Sequence, residues 1–109
     1  MQAAIETVTV DESVGRYCVG LASATREHPQ VMMGASPRGA LALMLTARAY
    51  AVIHSRDYVV PEDVKAVAPS VLAHRVTVRP ELWMSDVTGA SIVRSVLAQV
   101  ETPGPRQSR

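Results

Sequence analysis

The residues best placed to meet a charged ligand are Gly34-Ala35-Ser36-Pro37-Arg38. Ser36 is a favoured N-cap, because its hydroxyl can accept a bond from one of the orphan N–H groups of a helix's first turn. Pro37 then takes the first helical position, where a missing N–H costs nothing and the fixed φ already suits a helix. Arg38 is thereby set at a helix N-terminus, beside the positive partial charge of unsatisfied N–H groups, which is a natural anion site. The bland reading of Arg38 is a solvated side chain beside a well-capped helix. Against it stands local electrostatics, since a guanidinium here meets a like partial charge. The flanking Gly34 and Gly39 also let backbone or ligand approach closely. An anion shared by the helix end and Arg38 resolves the conflict, and a phosphate is the obvious candidate.

Other chemistry is hard to find. The run from Gly34 to Gly39 matches the first half of a phosphate-loop pattern. Ala40 and Leu41 stand where the Lys and Ser/Thr must follow, so both the phosphate grip and the Mg²⁺ ligand are missing. His28, His54 and His74 are far apart and show no metal spacing, so no metal site is expected and each reads as a surface or capping residue. Cys18 falls on the apolar side of a helix and reads as buried filler, not nucleophile. Asp11/Glu12 and Glu62/Asp63 are paired carboxylates, yet each pair opens a helix, where the dipole explains it without catalysis. Nothing in this set can turn over a substrate on its own.

Composition bounds the scaffold. A chain of 109 residues makes one domain with a modest core. The apolar fraction is 48%, with no Phe and only 4% aromatics, so the core must be built from Ala, Leu, Val and Met. That mixture suits packed helices better than a β-sandwich. A formal net charge of +1 gives no field for nucleic acid or an anionic membrane. The single Cys18 cannot form an internal disulfide, which favours a reducing, cytoplasmic setting. The apolar run at 40–53 is too short to span a bilayer and is interrupted by Arg48, and no signal peptide is recognisable.

The elements follow from periodicity and punctuation. Residues 1–8 carry no pattern and read as an extension or junction. Thr9-Val10-Asp11-Glu12 fits a capping box, with Asp11 as the alternative cap. Val14, Tyr17, Cys18, Leu21, Ala22 and Thr25 then form the apolar face of a helix that Pro29 ends near Arg26. Residues 27–35 form a connection packed on the core. The central helix runs from Gly39 to His54 and is apolar nearly all round, which predicts burial on several sides. Ser55-Arg56-Asp57 is a polar turn, and Tyr58-Val59-Val60 is a short β-prone stretch. Pro61 opens a third helix that Pro69 interrupts, leaving a separate short helix from Val71 to His74. Val76-Thr77-Val78 is expected to pair with 58–60 as a two-stranded ribbon. Trp83 anchors a loop, and Thr88 caps a last helix with Ile92, Val93, Val96, Leu97 and Val100 inside. Residues 102–109 read as a disordered tail. The expected fold is mainly α: one small helical bundle over 9–101, with a short β-ribbon.

At this level the chain resembles a known family. Gly34-Ala35-Ser36-Pro37-Arg38, preceded by Ala24-Thr25-Arg26 and followed by Gly39-Ala40-Leu41-Ala42-Leu43, closely resembles the lid subdomain of MoxR-type AAA+ ATPases. The stretch Ser55 to Val64, then Val71-Leu72-Ala73-His74-Arg75 and Arg79-Pro80-Glu81, fits the same family in the same order. The resemblance implies a helical lid packed over ATP and Mg²⁺ held by an N-terminal AAA+ core with Walker motifs, which this chain lacks. It gives Arg38 the role of sensor 2, contacting the γ-phosphate, with Gly34, Ala35, Ser36 and Pro37 around it. It implies a homo-oligomeric, usually hexameric ring with chaperone-like remodelling activity, and partners that include von Willebrand factor A domain proteins. For the chain alone it implies no enzyme activity and no bound cofactor. Two other readings stay open: a stand-alone helical adaptor for a protein partner, and, less well supported, a helix-turn-helix DNA binder.

Overall fold

A computed structural model describes residues 9–103. The expected extension at 1–8 lies outside the described residues, as does the expected tail at 102–109 except for Thr102 and Pro103. Helices α1 (Glu12–Glu27), α2 (Pro37–Ile53), α3 (Pro61–Leu72) and α4 (Gly89–Gln99) form a bundle in which neighbours in sequence also pack together and α1 also touches α4. Leu21, Leu43, Val64, Leu72, Ile92, Val93 and Val96 meet at its centre, each at most 1% exposed.

Local chemistry explains where α1 and α4 start. The carboxylate of Asp11 accepts the Ser13 N–H at 3.0 Å, so the alternative cap is the one used. Thr88 and Ser91 cap α4 reciprocally, the Ser91 N–H donating to the Thr88 hydroxyl at 3.1 Å and the Thr88 N–H to the Ser91 hydroxyl at 2.9 Å. The buried face of α1 is the expected set, Val14 to Thr25. Gly89 at the start of α4 lies on the backbone of Ala73, whose carbonyl oxygen would sit 2.2 Å from an added Cβ.

Four expectations are corrected. First, α2 is buried on one face only, through Gly39, Ala40, Leu43, Ala47 and Ala51, while Leu41, Leu45 and Ile53 are exposed. Second, α3 runs without a break through Pro69. The lost N–H bond is outweighed by burial of Val67, Ala68 and Leu72 on either side, and only a 3₁₀ turn (Ala73–Arg75) follows. Third, the ribbon has another partner: β1 (Val31–Met33) pairs antiparallel with β2 (Thr77–Val78), whereas Tyr58 bridges to Thr9. The unbroken α3 has 12 residues and is about 18 Å long, which holds 58–60 and 76–78 at opposite ends of the bundle. Fourth, Trp83 is exposed, with its indole N–H donating to the Val78 carbonyl at 2.8 Å.

The far end of α2 is closed by backbone and charge together. Ser55 takes a left-handed conformation with φ 61°, its N–H bonding Val52 and the Arg56 N–H bonding Ala51, each at 2.9 Å. Arg56 then grips Asp63 with both guanidinium N–H groups at 2.6 Å. The same carboxylate accepts the Val60 N–H at 2.9 Å and so caps α3. Donating to the Asp63 carboxylate raises the Arg56 guanidinium further above its ordinary range.

Candidate functional site

The loop from Gly34 to Arg38 is built against the last turn of α1. Thr25 is fully buried, and its hydroxyl donates to the Ala22 carbonyl at 2.6 Å while accepting the Ala35 N–H at 3.0 Å. The guanidinium of Arg26 donates to the Ala35 carbonyl at 2.6 Å. Gly34 lies directly on the α1 backbone, where an added Cβ would come 2.5 Å from the N and Cα of Arg26. Both polar groups of one loop residue are thus held from α1, and the residue before it has room for no side chain. Ala24-Thr25-Arg26 and Gly34-Ala35-Ser36-Pro37-Arg38 are two halves of one structure.

Beyond that clamp the chain enters α2 directly. Ser36 is extended at the N-cap position, and Pro37 opens the helix as expected. The Ser36 hydroxyl makes no capping bond, however, so this cap is one of position only. Arg38 follows, exposed, with no hydrogen bond or ion pair to any described residue. Next to it, Gly39 is buried against Ala35, Leu72 and the stem of Arg75, the last lying 3.5 Å from where a Cβ would be. Arg79 at the same end is spoken for, its side chain donating to the Pro29 carbonyl at 2.8 Å. Below Arg38, Leu41 and Leu45 continue the same exposed face of α2 at helical spacing.

All five sequence-predicted site residues are therefore gathered at one end of the bundle. The roles of Thr25, Arg26 and Arg75 and the Arg56–Asp63 pair were missed. Spacing could not reveal them, because each bond or packing contact crosses from one element to another and follows no helical or strand period. His28 and His54 stand at the C-caps of α1 and α2, and His74 is exposed. Cys18 is buried, and burial pushes its thiol up to about 11, so it is protonated and inert at neutral pH. Among the described residues no group of three or more His, Cys, Asp or Glu side chains could hold a metal. No helix in them is long and apolar enough to cross a membrane. The uncapped start of α2 and the exposed Arg38 stand together at this mouth, an arrangement whose chemistry suits an anion.

A helical bundle with a pinned Gly-Ala-Ser-Pro-Arg mouth is the shape of an AAA+ lid, and the chain belongs to the AAA lid domain family, which it matches over residues 23–96. Its relatives narrow this to the MoxR type. It is 34% identical over 96 residues to the chaperone MoxR1 of Mycobacterium tuberculosis, covering 80% of this chain and 26% of that protein. It is 40% identical over 108 residues to the uncharacterised protein YeaC of Bacillus subtilis, covering 99% of this chain and 34% of YeaC. The fold matches a crystal structure of a candidate ATPase from Cytophaga hutchinsonii with a TM-score of 0.89 and 33% identity, over 94% of this chain and 34% of that one. The chain thus spans about a third or less of the proteins it matches.

Proposed function

We propose that this lid closes over ATP held with Mg²⁺ on an AAA+ core, and that Arg38 reaches the γ-phosphate as the sensor 2 residue. One observation carries the reading: Arg38 makes no bond to any described residue, although the loop that delivers it is pinned to α1. A guanidinium fork matches phosphate oxygens. The uncapped first turn of α2 adds N–H partial charge at the same place. Leu41 and Leu45 give the core an apolar seat one and two turns below. The core supplies the Walker motifs, the Mg²⁺ that neutralises developing charge, and the attacking water. Arg38 ties the lid to the phosphate until hydrolysis removes the tie, and the lid then swings.

In this reading the swing is felt by the neighbouring subunits of a homo-oligomeric, hexameric ring in the cytoplasm. The ring uses it to remodel or mature partner proteins in a chaperone-like way, von Willebrand factor A domain proteins among them. In the full-length ATPase, Arg38→Ala lowers turnover by about tenfold or more, as loss of a group that stabilises transition-state charge should. Unchanged turnover sinks the reading. The lid alone, lacking the core's phosphate and base contacts, shows no measurable ATP binding by calorimetry, and tight binding would contradict the division of labour. The exposed Leu41–Leu45 stripe also suits the adaptor reading. The mass of the native polypeptide separates the two: a species several times 11.7 kDa carries a core, and one at 11.7 kDa is an adaptor.

A further inference from the structure

We propose that Thr25 and Arg26 are positioning residues for Arg38, an inference that rests on reading Arg38 as a phosphate contact. The packing of α2 on α1 and α3 already fixes the axis of α2. It does not fix the loop that enters α2, and the clamp acts there. The fully buried Thr25 hydroxyl accepts the Ala35 N–H, and the Arg26 guanidinium donates to the neutral Ala35 carbonyl. Gly34 removes the last slack by lying on the Arg26 backbone. Between this anchored point and Arg38 stand only Ser36 and Pro37, and the proline ring holds its own φ. The Cα of Arg38 is therefore placed relative to α1 as well as to α2, so a pull on the guanidinium is shared by two helices. Placement matters because a displacement of about 1 Å at a reacting group can cost a factor on the order of a hundred in rate.

The test is a double-mutant cycle on turnover in the full-length ATPase, with thermal midpoints measured alongside. Thr25→Val lowers kcat by about tenfold while the KM for ATP stays within about threefold, because the contact is misplaced, not removed. Thr25→Ser, which keeps the hydroxyl, restores most of the rate. In an Arg38→Ala background Thr25→Val has no further effect, as expected for residues acting as a unit. Arg26→Gln changes an exposed side chain and serves if Thr25→Val fails to fold; it gives a smaller loss that also vanishes when Arg38 is absent. If Arg38→Ala is slow but the clamp variants multiply with it, or leave turnover at the wild-type value, the positioning role falls and the reading of Arg38 survives. If Arg38→Ala itself leaves turnover unchanged, both fall.

Discussion

Arg56 and Arg38 stand at the two ends of α2, and the molecule treats them differently. Arg56 spends both arms on Asp63, a carboxylate only 1% exposed that also caps α3. Burying that charge is tolerable because its oxygens are fully engaged; unpaired, it would be heavily penalised. Arg38 has no ion pair or hydrogen bond among the described residues, while two residues of α1 hold the backbone that delivers it. An arginine that serves the fold can be recognised by the partner it holds. One whose surroundings are fixed while its own head stays free is available to a second body.

The contrast can be tested by breaking each end in turn. The largest effect is expected from Asp63→Ala, which strands Arg56 and uncaps α3 and should cost about 3 kcal/mol in denaturant unfolding. The apolar pair Arg56→Met with Asp63→Leu should recover most of that, whereas a loss under about 1 kcal/mol for Asp63→Ala would make the pair ornamental. Gly34→Ala at the other end should cost about 2 kcal/mol, because the new methyl meets α1 backbone and not a flexible side chain. A neutral melt would mean that the loop lifts off α1 freely.

Alkaline titration gives an intermediate effect that involves neither arginine. Burial raises both the Cys18 thiol, from an ordinary value of 9.0 to about 11, and the Tyr17 hydroxyl. The unfolded chain therefore loses these protons first. The thiol's share of stability is whole below pH 9.0 and falls as pH rises towards about 11. Cys18→Ala should flatten that decline in a series of denaturant midpoints. The smallest effect is expected from Arg38→Ala in the lid itself, within about 0.5 kcal/mol of wild type. A larger loss would make Arg38 a second Arg56.

Helices whose signals are local were legible in the sequence. The caps and apolar faces of α1 and α4 lie within a few residues of the chain, and the Ser36-Pro37 start of α2 is equally local. The exposed face of α2 was not legible, because a helix apolar nearly all round looks the same whether neighbours or solvent face its second side. Pro69 misled by its reputation: read as a break, it allowed 58–60 and 76–78 to meet, and an unbroken α3 forbids that. The Arg38 mouth was legible as a loop and helix start, while its clamp depends on contacts across the chain. Thr25 reads as one more position on the face of α1, and nothing in its spacing announces that its hydroxyl serves Ala35.

Thr9 and Pro103 line the same groove, beside Tyr58 and Pro61, at the end of the bundle away from Arg38. A body joined through Thr9 is thus attached about 25 Å, the length of the 17-residue α2, from the arginine. That separation makes the bundle a lever arm: at a radius of about 25 Å, a turn of roughly 5° at the attached end carries the guanidinium about 2 Å, enough to make or lose a hydrogen bond. Run in reverse, the same gearing turns a short pull on the guanidinium into a small rotation at the attached end, with displacement traded for force.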